Sequence, residues 1–188
     1  RLYAAAPDRR INELEGCVMR WVAHESGGYW DFCDFPLANA KDEAFECFPV
    51  PDPDHFDYDG ARRRAQAYDG RFALYAGGAG TPDLINSNGR IMGMEDVLCH
   101  MATDYEPAIR FMHRRVAFQL GHLERKLEAC RGLIDFVWLG EDLGTQIAPM
   151  ISLELYRRFF KPIHKQFCDL AAHYRLPVIV HTCGSSSW

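Results

Sequence analysis

His181 and Cys183 stand two residues apart at the end of the short apolar run 177–180, and Gly184 follows them directly. In an extended segment, residues i and i+2 point to the same side, so this imidazole and this thiol can face one point. A histidine nitrogen and a thiolate sulfur are ligands that zinc accepts, although catalytic zinc usually takes three protein ligands. The pair therefore predicts two ligands of a metal site. The commoner arrangement for an isolated His-x-Cys is a packed cysteine beside a histidine that is hydrogen-bonded to the backbone.

Glu141 and Asp142 form the second group that could do chemistry, because they follow the apolar run 133–139 after Gly140. If that run is a parallel strand next to 178–181, the two acids lie at the same edge of the sheet as His181. There they could orient a histidine, bind a cationic substrate or carry a proton, and we predict them as catalytic acids. The alternative is that they are solvated loop acids or cap backbone amides. His164 is predicted to be an exposed or capping histidine.

The elements that must position these residues form a predicted βαβ unit. Strands at 133–139 and 178–181 are continuously apolar, as in parallel sheets that are covered on both faces. The helix between them is predicted over 152–174, with Ser152 as its N-cap and a kink at Pro162.

The rest of the chain is predicted as further helices and strands of an α/β protein. Upstream of the βαβ unit we expect a helix at 8–28 that stops at Gly27-Gly28, an aromatic strand or loop at 29–37, and a proline-rich connector at 49–59. A helix at 60–69 and a strand at 71–76 follow, with a glycine turn at 77–80. Two further helices are predicted at 93–103 and 105–131. We predict one domain over 1–188, with a helical and extended segment at 1–60 and βα units at 61–188. Periodicity alone does not distinguish a barrel from an open sheet.

Composition excludes several classes of protein. The 188 residues carry a formal net charge of -5, which argues against a nucleic-acid surface, and no apolar run approaches the ~20 residues that span a bilayer. The 7 cysteines include no C-x-x-C pair, so we expect reduced thiols and a cytoplasmic protein. A complete eight-stranded barrel typically needs ~250 residues, so we expect only part of one here.

Several longer motifs resemble the uroporphyrinogen decarboxylase superfamily. They are VWLGEDLGTQIAPMISLELYRRFFKPIHKQFCDLAAHYRLPVIVHTCGS at 137–185, DFPLA at 34–38, PDPDHFDYDG at 51–60, and GRIMGMEDVLCHMATDYEPAIRFMHRR at 89–115. The resemblance covers most of residues 20–185. It implies a TIM-type (β/α)8 barrel with its active site at the C-terminal ends of the strands.

The resemblance also implies a function. In the corrinoid-dependent methyltransferases of this superfamily, His-x-Cys supplies two zinc ligands, matched here by His181 and Cys183, and a later cysteine, which would lie outside this chain, supplies the third. Such an enzyme takes a methyl group from a partner corrinoid protein and passes it to a small thiol. Glu141 departs from the aspartate that is common in the family at that position.

Two other functions remain open. The true decarboxylases of porphyrin biosynthesis are cofactor-free carboxy-lyases with an arginine-rich N-terminal motif and a central aspartate, neither of which we find in this chain. The other alternative is a non-catalytic barrel that only binds a corrinoid protein or a small ligand. We expect the methyltransferase, without nucleic-acid or membrane partners; the oligomeric state is left open.

Overall fold

The computed structural model describes residues 7–188 of the chain. Its elements are β1 (Arg10–Ile11), β2 (Val18–His24), β3 (Gly27–Cys33), α1 (Asp42–Cys47), a 3-10 turn (Pro53–His55), α2 (Tyr58–Tyr68), β4 (Tyr75–Pro82), α3 (Leu84–Met92), α4 (Met94–Ala102), α5 (Glu106–Ala129), β5 (Phe136–Gly140), α6 (Leu153–Leu155), a π-helical segment (Tyr156–Phe160), α7 (Lys161–His173) and β6 (Val178–His181). Strands β1-β2-β3 form an antiparallel sheet and strands β4-β5-β6 a parallel one. The protein is therefore of mixed α/β class, as predicted.

The chain divides into two compact units, the first made of the chain up to Pro51 together with Ile85–Arg114, the second of Asp52–Leu84 with Arg115–Trp188. In the first unit, the side chain of Phe45 is fully buried. Its ring lies 5.7 Å from His100, 5.9 Å from Tyr105 and 6.2 Å from Phe111, measured between centroids. This aromatic cluster joins α1 to α4 and to the first turns of α5.

The predicted helix at 8–28 is wrong, because this region contains β1, β2 and the start of β3. Trp21 of β2 pairs with Trp30 of β3, and their rings meet edge to face at 5.8 Å. Aromatic and β-branched residues such as these favour strands. The predicted helix stop at Gly27-Gly28 is instead the beginning of β3, which agrees with the strand expected from residue 29 onward.

In the second unit, the predicted βαβ arrangement is confirmed. Strand β5 pairs in parallel with β6 from Val137↔Val178 to Gly140↔His181, and helix α7 lies between them in the chain. Val137 and Leu139 are buried in β5, as are Ile163, Phe167 and Ala171 along α7. Their burial supports the interpretation of these two apolar patterns as core. The predicted cover on both faces does not hold for β6, because Ile179 and Val180 are 52% and 57% exposed.

The predicted glycine turn at 77–80 is wrong, because these residues lie within β4. Gly77 has a φ of 93°, and a Cβ on it would lie 2.2 Å from the carbonyl oxygen of Trp138 in β5. The glycine thus lets β4 approach β5 closely. The pairing of the two strands shifts its register between Gly77 and Pro82.

The long helix predicted at 152–174 is interrupted rather than simply kinked. Ser152 caps its start as expected, since its hydroxyl accepts the Leu155 N–H at 3.1 Å. One turn before Pro162, the Lys161 N–H bonds to the Tyr156 carbonyl, which is the i→i+5 pattern of a π-helix. Proline cannot donate the backbone hydrogen bond of a regular helix, so an irregular turn just before it is understandable.

Helix α3 was not predicted from the sequence. Its central residues Asn86, Ser87, Asn88 and Gly89 are poor helix formers. Leu84, Ile85, Ile91 and Met92 at its two ends are buried, so packing overrides the local propensity. Over residues 7–188, no helix has the length and apolar character needed to cross a membrane.

Candidate metal centre

The ends of β5 and β6 are held together beyond the regular ladder. The Glu141 N–H donates to the His181 carbonyl oxygen at 3.0 Å, and the Gly144 N–H donates to the Cys183 carbonyl oxygen at 3.2 Å. The two segments that leave the sheet therefore remain side by side. This pairing places Asp142, which follows Glu141, next to the His181–Cys183 segment.

Three side chains converge at this edge of the sheet. The distance from His181 Nε2 is 3.1 Å to Cys183 Sγ and 3.5 Å to Asp142 Oδ1, and one candidate ligand atom from each residue lies within 4.8 Å of the others. Tetrahedral zinc with bonds of about 2.0–2.3 Å places its ligand atoms roughly 3.3–3.8 Å apart. The nitrogen, sulfur and oxygen donors are of types that zinc accepts, and the two distances from His181 Nε2 lie in this range or about 0.2 Å below it.

Solvent reaches this cluster. The side chains of His181 and Asp142 are 40% and 32% exposed, and Cys183 is exposed as well. Asp142 Oδ1 also accepts the backbone N–H of Cys183 at 3.1 Å, which fixes the carboxylate against the Cys183 backbone. An ion held by these three groups would keep a position open toward solvent, as catalytic zinc sites do.

The structure brings the side chains of His181 and Cys183 together, as predicted, and it adds Asp142, which the sequence did not single out as a metal ligand. We expected a later cysteine outside this chain, and the structure brings Asp142 to the pair from the neighbouring strand. The signal in the sequence was that both segments follow parallel strands. That signal indicated a shared edge of the sheet, but not which acid faces the pair.

Glu141 and Asp142 do not act together in the structure. Glu141 is 1% exposed, and its Oε2 accepts the Leu84 N–H at 2.8 Å and lies 3.4 Å from His164 Nε2. Neighbours in an extended segment point to opposite sides, so Asp142 reaches the cluster while Glu141 faces the protein interior. The prediction of an exposed or capping His164 is wrong, because its side chain is only 16% exposed and lies against Glu141.

The carboxylates around Cys183 disfavour deprotonation of its thiol to the thiolate. The hydrogen bond with Asp142 is the main cause that raises the pKa of the Cys183 thiol, followed by partial desolvation and the negative charges of Asp142 and Asp83. Cysteine binds metals as the thiolate, and a divalent cation would reverse this balance because it attracts every one of these anions. The charge pattern therefore favours a cation at this position.

A tight turn follows Cys183 and helps to fix the position of the His181–Cys183 segment. Gly184 has a φ of 72°, and a Cβ on it would lie 2.4 Å from the Gly144 carbonyl oxygen and 2.5 Å from that of Thr145. The Ser185 N–H donates to the Thr145 carbonyl oxygen at 2.8 Å. The turn is thus pressed against the loop that carries Asp142.

We expect Gly184→Ala to lower the free energy of unfolding by about 2–4 kcal/mol, because it adds a backbone clash to an unfavourable φ. Gly132→Ala is the matched control, since Gly132 has a φ of 80° and open space around its Cβ position. That control should lose only about 1–2 kcal/mol. Urea unfolding of both variants measures the difference, and equal losses would show that contact with the Asp142 loop does not matter.

Comparison of the chain with protein-family models, curated proteins and solved structures finds no match. The fold and the cluster define an α/β protein with a candidate metal centre at the C-terminal edge of a parallel sheet. Any narrower assignment of function depends on the chemistry of that centre and on the motifs of the sequence.

Proposed function

We propose that Asp142, His181 and Cys183 bind zinc and that the protein is a thiol-activating, corrinoid-dependent methyltransferase built on a TIM-type barrel of the uroporphyrinogen decarboxylase superfamily. The observation that carries this proposal is the convergence of one nitrogen, one sulfur and one oxygen donor within 4.8 Å at the strand ends. The superfamily resemblance of the surrounding motifs supplies the reaction.

Zinc bound there would lower the pKa of an acceptor thiol and hold its sulfur as a thiolate. The chain's own residues would bind the zinc ion and set its position. His181 and Cys183 supply the two softer donors, and Asp142 supplies a carboxylate that is already fixed by the Cys183 N–H. A corrinoid on the partner protein would supply the methyl group to the acceptor sulfur and would take the electron pair of the broken bond, and the thiol proton would leave to solvent.

The charge at the centre supports methyl transfer over porphyrinogen decarboxylation. Asp83 and Asp142 both act on Cys183 through their negative charges. A porphyrinogen carries many carboxylates, and like charges brought together repel unless cations separate them. A small thiol with one anionic group brings far less repulsion.

The assay is methyl transfer from free methylcobalamin to 2-mercaptoethanesulfonate, followed by the change in corrinoid absorbance. We expect zinc-dependent demethylation that is lost in Cys183→Ser and kept in Cys99→Ser, which replaces another exposed cysteine. Carbon dioxide release from uroporphyrinogen by the same preparation would instead identify a decarboxylase. Stoichiometric zinc with neither reaction would favour the non-catalytic binding barrel.

A further inference from the structure

A cavity lies at the edge of the parallel sheet opposite the candidate metal centre, where the strands begin. It has a volume of about 320 Å³ and lies among α2, the C-terminal turns of α5, the start of β4 and the segment before β5. All of these parts belong to the second compact unit. Ligand pockets in proteins start at ~300 Å³, so this cavity has room for a molecule about the size of one ring.

The walls of the cavity are mainly apolar. Ala65 of α2, Leu74 before β4 and Ile134 before β5 line it, and Tyr68 adds a half-exposed aromatic ring. Such a surface would pack against the body of a small organic molecule. It does not by itself select one.

Two cationic side chains line the cavity. Arg64 and Lys126 both line it, and neither forms an ion pair with any residue in the part of the chain that the structure describes. The neighbouring arginines of α2 are engaged elsewhere, because Arg62 donates to the Ala129 carbonyl oxygen at 2.7 Å and Arg63 lies 3.6 Å from Asp57. Arg64 and Lys126 are therefore distinguished from the ordinary surface charges beside them.

The surroundings of Lys126 disfavour its positive charge. Burial lowers the pKa of Lys126, and the positive charge of Arg64 lowers it further, while the thiol of Cys130 acts in the opposite direction. Cys130 is itself buried, which raises its pKa. Two like charges close together in a partly desolvated cavity are unfavourable, and an anion between them would remove that cost.

We propose that this cavity is a binding site for a small organic anion, with the anionic group on Lys126 and Arg64 and a ring-sized apolar body against Ala65, Leu74 and Ile134. Arginine forms paired hydrogen bonds to carboxylate and phosphate oxygens, and lysine adds a point charge. The site is separate from the metal centre, so its occupation does not depend on the proposed methyl transfer.

The experiment measures binding of phenyl phosphate by calorimetry and by amide chemical shifts at Ala65 and Ile134. Inorganic phosphate and phenol are measured in parallel, because the first tests the charge alone and the second tests the ring alone. We expect phenyl phosphate to bind at least about tenfold more tightly than either, since only it uses both parts of the cavity. If inorganic phosphate binds as tightly as phenyl phosphate, the two cations alone account for binding. If phenol binds as tightly, the apolar walls alone account for it. Either result overturns the proposal.

Variants locate the site. Lys126→Met and Arg64→Gln should each weaken phenyl phosphate binding about tenfold, while Arg63→Gln, its neighbour on α2, should leave it unchanged. If Lys126→Met does not fold, Arg64 decides, because it is exposed and the replacement of an exposed residue usually costs little stability. Unchanged affinity in Arg64→Gln overturns the proposal. The Cys183→Ser variant, without the proposed metal site, should bind phenyl phosphate as the wild type does.

Discussion

Cys183→Ser should weaken zinc binding by roughly a hundredfold or more, because a serine hydroxyl is a far poorer zinc ligand than a thiolate. His181→Ala should cause a loss of similar size. Zinc affinity is measured by competition with a chromophoric chelator, and the bound metal by elemental analysis of the dialysed protein. Wild-type protein should hold about one zinc per chain.

The controls for this result use cysteines outside the cluster. Cys99 is exposed, and Cys99→Ser should leave zinc affinity unchanged. If Cys99→Ser and Cys183→Ser weaken binding equally, the metal is held by scattered surface thiols. A wild-type protein that retains no zinc would reject the metal centre, whatever its activity.

Asp142→Asn tests the third donor in two ways. It should weaken zinc binding less than the loss of Cys183 does, since an amide oxygen remains but the negative charge is gone. In the zinc-free protein, the same change should lower the pKa of Cys183, because Asp142 is the main group that raises it. Iodoacetamide should then alkylate Cys183 faster at neutral pH, as peptide mass spectrometry can follow. Unchanged alkylation and unchanged zinc affinity would remove Asp142 from the site.

The sequence predicted those parts of the candidate metal centre that depend only on local chain geometry. His181 and Cys183 lie two residues apart on an extended segment, so their convergence follows from strand geometry alone. The strands that carry them were visible as apolar runs. Asp142 needed one further step, the pairing of β5 with β6, which the βαβ pattern implied but did not specify residue by residue.

Contacts between distant residues were not predictable in this way. His164 reaches Glu141 across 23 positions of the chain, and Leu84 reaches it across 57. Neither contact can be predicted from the local periodicity of the sequence, because each depends on how a helix packs against the strand end. The same holds for α3, whose poor helix formers are outweighed by buried residues at both ends.

The error at residues 8–28 has a different origin. Cys17, Val18, Trp21 and Val22 fit a helical stripe by their spacing, and Val18 to Val22 also suit a half-buried strand. Short apolar patterns of this kind satisfy both periods, and the outcome depends on the partner strand. Here Trp30 provides that partner.

Glu141→Ala should lower the free energy of unfolding by about 2–4 kcal/mol, because it leaves the buried Leu84 N–H without its carboxylate acceptor and opens a small cavity. Glu141→Gln should cost only about 1 kcal/mol, since an amide oxygen can still accept from Leu84. Exposed Glu124 on α5 provides the control, and Glu124→Ala should stay within about 0.5 kcal/mol of the wild type. Urea unfolding of zinc-free protein measures all three, because bound zinc would add its own stabilisation.

The same variants separate two roles for Glu141. Its N–H bonds to the His181 carbonyl oxygen, and its side chain holds the strand end that leads to Asp142, so a positioning role predicts that Glu141→Ala also weakens zinc binding, by roughly tenfold. Glu141→Gln would then keep stability, zinc affinity and methyl transfer together. If Glu141→Gln keeps stability and zinc but loses methyl transfer, the charge of this carboxylate takes part in the reaction, and His164 at 3.4 Å is the group through which it would act. A positioning role would make this buried acid a link between the stability of the fold and the candidate metal centre, and the comparison of alanine with glutamine decides whether it does more than that.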